Sequence, residues 1–147
     1  MQRLCLEDLT VGQTFESRTQ RVDAEAIMAF AREFDPQPFH LDAEAAKATL
    51  FGGLAASGWH TAALTMRLIV ESVPLEGGVI GSGGELSWPR PTMAGDGLRV
   101  VTEVLSVTPS RSKPDRGMIT MRSTTFNQNG EPVQVFTPKV VVQRRPA

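Results

Sequence analysis

From Trp59 to about Val70 the chain reads Trp-His-Thr-Ala-Ala-Leu-Thr-Met-Arg-Leu-Ile-Val, a stretch in which Arg67 is the only fully charged residue. A helix that is apolar nearly all round must be buried nearly all round. The stretch therefore predicts one core helix that other elements enclose. What encloses it comes next in the chain. Val79–Trp88, Leu98–Val107, Met118–Phe126 and Val133–Val142 are rich in Val, Ile and Thr, the composition of strands. Gly95-Asp96-Gly97 and Asn127-Gln128-Asn129-Gly130 supply turns between them. An early strand is expected around Gln13–Thr19. Helices followed by a run of neighbouring strands imply an α+β fold with an antiparallel sheet, here curled around the single buried helix.

The segments ahead of the core helix carry clear start signals. Asp23 reads as the N-cap of a helix over about Ala24–Phe34, with Ile27, Phe30 and Ala31 on one face. Asp42 reads as a second N-cap, opening a short Ala-rich helix through about Leu50, after which Gly52-Gly53 breaks the chain. Ser57-Gly58 caps the core helix.

Composition narrows the classes. A length of 147 residues suits a single domain spanning 1–147 with a real core. A net charge of −1 gives no general attraction to nucleic acid or an anionic membrane. The lone Cys5 excludes an intrachain disulfide or a multi-cysteine metal site and suits a reducing compartment. No apolar run approaches the ~20 residues that span a bilayer. The N-terminus soon meets acids and has no signal-like apolar stretch. A cytoplasmic protein is expected.

The segment Phe34-Asp35-Pro36-Gln37-Pro38-Phe39-His40-Leu41-Asp42 carries the chemistry. Asp35 and His40 stand five residues apart, a spacing that neither a helix nor a strand brings together. Pro36 and Pro38 exclude a helix interior and push their predecessors toward extended conformations. The expectation is a stiff loop that aims a carboxylate and an imidazole at one water, a general acid–base pair. The alternative is an Asx-turn and a histidine bonded to backbone.

In order and spacing, several pieces resemble the MaoC-like dehydratase family, whose best-understood members are (R)-specific 2-enoyl-CoA hydratases. They are Leu6-Glu7-Asp8-Leu9-Thr10-Val11-Gly12-Gln13, the Asp35…His40-Leu41-Asp42 segment, Ala56-Ser57-Gly58, Trp88-Pro89-Arg90-Pro91 with Gly95-Asp96, and Ser110-Arg111-Ser112-Lys113-Pro114. The resemblance implies the hotdog fold, a homodimer or a higher oligomer of dimers, and reversible hydration of a 2-enoyl thioester. The thioester would be carried by coenzyme A or by acyl-carrier protein. No Rossmann or P-loop glycine pattern occurs, so no metal or redox cofactor is expected, coenzyme A being part of the substrate. The resemblance gives Asp35 and His40 the task of activating water, and the amide of Gly58 that of binding the thioester oxygen, with Ser57 and Trp59 beside it. Gln37 stands where the family commonly has Asn, Ser57-Gly58 where His-Gly is frequent, and Ala63 is nearest to where some members carry a serine.

Other residues invite weighing. Arg111 and Lys113 form a basic turn that is either solvated or a seat for the phosphates of coenzyme A. Arg90 is expected to pair with Asp96 or with an acid in an overhanging loop. His40, Asp42 and His60 imitate an iron-binding triad, but Asp42 is already explained as a cap and His60 as a packed or capping histidine, the alternative for His60 being a place in the wall of the substrate tunnel. A hotdog thioesterase and a non-catalytic acyl-CoA-binding subunit are the rival functions. Such thioesterases usually place an acid on the central helix, and Trp59–Val70 has none.

Overall fold

The computed structural model describes residues 2–147. Its elements run in the order expected. A 3₁₀ turn at Leu6–Asp8 is followed by strands β1 (Thr14–Glu16) and β2 (Gln20–Arg21), then helices α1 (Ala24–Phe34), α2 (Pro38–Leu41), α3 (Ala43–Lys47) and α4 (Gly58–Ser72). Strands β3 (Ile80–Ser87), β4 (Gly97–Pro109), β5 (Arg116–Phe126) and β6 (Pro132–Gln143) complete the chain. The strands form one antiparallel sheet in the order β1-β4-β5-β6-β3, with β2 also pairing β4. The sheet and the α4 helix meet through Leu68, Ile69 and Val73 on one side and Val100, Ile119, Met121, Val140 and Val142 on the other. A second cluster, Val22, Ile27, Leu54, Ala56, Leu98 and Val133, seats α1 against the start of β4. Fully burying one such side chain is worth about 1.5–3 kcal/mol. Among the described residues no helix is long and apolar enough to cross a membrane.

Polar contacts fix how α4 sits. Thr61 Oγ1 donates to Thr92 Oγ1 at 3.0 Å, and one turn further on the Thr65 and Thr125 hydroxyls bond at 2.8 Å, all four residues buried.

Three expectations needed correction. The segment 34–42 is not a loop throughout, because Pro38 begins a one-turn helix that ends at Leu41. Proline at the first helical position loses no hydrogen bond, since that amide has no intrahelical partner. The Ala-rich helix after Asp42 ends at Lys47 rather than near Leu50. The core helix is not enclosed all round. Trp59, Ala63, Met66 and Val70 form one stripe at i, i+4, i+7 and i+11 and lie open, Trp59 at 62% exposure. The strand beside that stripe, β3, is also largely exposed along its length and forms a sheet edge. The apolar character of α4 thus exceeds what one chain covers.

Candidate active site

The Asp35–His40 pair is built by three short elements in succession. Asp35 is the C-cap of α1, its amide donating to the Ala31 carbonyl at 2.9 Å. The chain then turns through Gln37, whose amide donates to the Asp35 carbonyl at 2.8 Å, and α2 delivers His40 inward. His40 is buried, boxed between the Phe39 ring at 4.6 Å and the Phe51 ring at 6.3 Å. Its Nδ1 bonds the Ala55 carbonyl oxygen at 2.6 Å. A carbonyl only accepts, so Nδ1 carries the proton, and in the neutral ring Nε2 is left with its lone pair. That nitrogen faces Asp35 Oδ2 at 3.4 Å.

The other carboxylate oxygen is engaged. Gln37 Nε2 donates to Asp35 Oδ1 at 2.5 Å. The residue at the position where Asn is common thus reaches the acid itself. Partial burial pushes the Asp35 carboxyl up, but hydrogen bonding from Ser57 and Gln37 and the neighbouring His40 outweigh it. The net effect holds Asp35 below the ordinary carboxylate range, so it is ionised at neutral pH.

Ser57 joins the pair to α4. It is fully buried and is the N-cap of that helix, its Oγ accepting the Trp59 amide at 3.3 Å. Gly58 opens the helix, and its amide has no intrahelical partner. The N-terminal end of the helix dipole favours negative charge there. His40, Gly58, Thr61, Trp88 and Arg90 line one cleft of about 280 Å³, just below the usual range of ligand sites, ~300–1,000 Å³. A larger groove of about 980 Å³ lies by the C-terminal tail. Its arginines are each paired with an acid: Arg116 with Asp115, Arg144 with Glu7, and Arg145 with Asp8.

Of the predicted site residues only His40 and Gly58 line the cleft; Asp35 and Ser57 stand behind them, and the others fall elsewhere. Arg111 and Lys113 are exposed on the β4–β5 turn. Thr92 of the cleft precedes the 13-residue strand β4, and the turn follows its other end. Neither Arg111 nor Lys113 lines the cleft. Trp59 does not line the cleft but packs its ring edge-on against Trp88 at 5.3 Å. Arg90 pairs with Glu131 at 3.3 Å and not with Asp96, whose Oδ2 accepts the Met93 amide. Asp42 is spent on capping α3, accepting the amides of Glu44 and Ala45, and no three His, Cys, Asp or Glu residues converge on a metal position among the described residues.

His60 points away from this chemistry. It is buried and stacked on Phe30 at 4.8 Å with rings 8° from parallel, and its Nδ1 has no partner among the described residues. Burial lowers its proton affinity. Below the ordinary imidazole value of ~6.5 the unfolded chain takes up a proton that the folded chain refuses. This contribution costs stability as pH falls from about 6.5 toward the lowered native value. His60→Phe keeps the stack and removes the titration. Its stability relative to wild type, from urea unfolding at pH 8 and pH 5, is expected to be higher at pH 5. An unchanged difference would show that His60 is not held neutral.

An antiparallel sheet curled along one helix, with its candidate site at the helix N-terminus, is the hotdog fold. The chain belongs to the MaoC-like dehydratase family, the MaoC like domain matching residues 8–126. A MaoC-like dehydratase from Rhodospirillum rubrum is 65% identical in its crystal structure, superposes with a TM-score of 0.95, and is matched over 98% of this chain and 99% of that one. The R-hydratase PhaJ1 from Pseudomonas aeruginosa is 30% identical with a TM-score of 0.79, over 97% of this chain and 88% of its own. The uncharacterized protein YdeM of Bacillus subtilis is 35% identical over 140 residues, 93% of this chain and 96% of that protein.

Proposed function

We propose that the protein reversibly hydrates 2-enoyl thioesters of coenzyme A to (R)-3-hydroxyacyl thioesters, with Asp35 and His40 as the acid–base pair. The observation that carries this reading is the 3.4 Å approach of Asp35 Oδ2 to His40 Nε2, with the other ring nitrogen held by the Ala55 carbonyl. In the resting state of this mechanism the ring is neutral, both atoms accept, and one water donates a hydrogen bond to each. Its oxygen then adds to C3, its proton passes to the pair, and the C2=C3 electrons move toward the thioester oxygen. That oxygen gains negative charge beside the Gly58 amide, where a helix N-terminus stabilises it. The proton returns at C2. Both proton steps are carried by side chains, so the mechanism needs no further cofactor. Likeness to an R-hydratase supports the stereochemical assignment.

A thioesterase would direct water to the carbonyl carbon. The only acid in α4 is Glu71, in its last turn, where it pairs with Arg18 and Arg67. The test is crotonyl-CoA offered to the protein while double-bond absorbance and free thiol are followed together. Loss of absorbance without thiol is expected. Thiol release alone would defeat the hydratase reading.

The working unit in this proposal is a homodimer. The edge strand β3 and the open stripe of α4 lie side by side, and an unpaired edge with an apolar flank favours pairing with a second copy. Sedimentation at micromolar concentration is expected to give twice the chain mass. A stable, active monomer would place the whole site within one chain.

A further inference from the structure

Among the largest fully buried side chains, Gln134 on β6 is the one that is not apolar. A buried amide is costly unless it is hydrogen-bonded. Gln134 Oε1 accepts the indole N–H of Trp88 at 2.9 Å. Trp88, just beyond β3, is 40% exposed, so a partly open side chain is anchored from the interior. Two more contacts hold it. The indole packs on Gly58 so closely that a Cβ there would stand 2.7–2.9 Å from Cε2, Cζ2 and Cδ2. Trp59 closes against it edge-on, the ring planes 85° apart. The same indole lines the cleft with His40.

We propose that Trp88, pinned by Gln134, is the specificity-determining wall of the cleft, admitting unbranched 2-enoyl thioesters and rejecting those branched at C2. This rests on the hydratase reading above. With the thioester oxygen at the Gly58 amide, the atoms bonded to the carbonyl carbon are those nearest the indole that covers Gly58. A hydrogen on C2 passes beside the ring. A methyl group meets a wall held on three sides, which yields less than a free side chain would. One methyl group in an apolar pocket is worth ~10–200-fold in discrimination.

The test is the ratio of kcat/KM for crotonyl-CoA to that for its 2-methyl homologue. The wild type is expected to prefer the unbranched substrate strongly. Trp88→Ala narrows that ratio by at least about 10-fold, chiefly through a gain on the branched substrate. Gln134→Met keeps the bulk but releases the indole, and shifts the ratio in the same direction by less. It serves as the second reading if Trp88→Ala does not fold. A merely structural tryptophan would lower both substrates together, and an unchanged ratio in either folded variant overturns the proposal, as does a wild type without preference. A wild type that hydrates neither thioester overturns the hydratase reading itself, and this inference with it.

Discussion

Asp35→Asn and His40→Gln are each expected to slow hydration of crotonyl-CoA by ~10²–10⁴-fold while leaving the fold intact, because general acid–base groups contribute on that scale. Asn keeps the shape of the acid and can still meet Gln37, but it offers no carboxylate to take a proton. Gln at position 40 keeps hydrogen-bonding capacity without an ionisable ring. Both residues face one water in the proposed mechanism, so removing the second should cost far less than the product of the two losses. The pH profile sharpens the test. Asp35 is held below the ordinary carboxylate range, so its proton-accepting form is lost only as pH falls below that range, and this acid limb should vanish in Asp35→Asn. Near-wild-type hydration by either single variant defeats the assignment.

Gly58→Val is expected to lower kcat by ~10²–10³-fold, the usual cost of losing an oxyanion donor. The amide itself survives the substitution; what changes is access to it. A side chain at this position also collides with the Trp88 indole, so the single variant combines two effects. Placing Gly58→Val on a Trp88→Ala background separates them. The ring atoms that collide are gone there, and turnover should still fall steeply relative to Trp88→Ala alone. Recovery to the level of Trp88→Ala would mean that glycine serves only to seat the indole.

Much of this arrangement can be read from the chain before any coordinates. The α1 boundaries, the Asp42 and Ser57 caps and the four long strands follow from local signals that tertiary packing did not override. The pairing of Asp35 with His40 was expected from two prolines and a spacing, although the residues between them include a helical turn. What stays hidden is what depends on distant partners. The Ala55 carbonyl that sets the His40 tautomer is backbone, and no residue type announces it. The exposure of Trp59, Met66 and Val70 cannot be inferred from hydropathy, because an apolar stripe reads the same whether its cover lies in the same chain or in another. The basic turn reads by charge alone, and charge does not tell that it follows the end of β4 opposite to Thr92 of the cleft. Gln134 left a faint trace as an amide among Val133, Val135 and Phe136, in a stretch otherwise suited to a core strand.

The two threonine pairs beneath α4 act as a register lock. Hydrocarbon contacts are non-directional, so a helix seated only on leucines could slide or roll by a fraction of a turn at little cost. Thr61 and Thr65 stand one turn apart on the helix, and their partners Thr92 and Thr125 come from different parts of the chain. Any screw displacement of α4 that preserves one bond must strain the other and leave buried hydroxyls unsatisfied, at about 1–3 kcal/mol each. The Gly58 amide lies three residues before the first of these bonds. Its position relative to the sheet and to the Thr92 segment is thereby held by two directional clamps at the core, a precision on which the proposed chemistry draws.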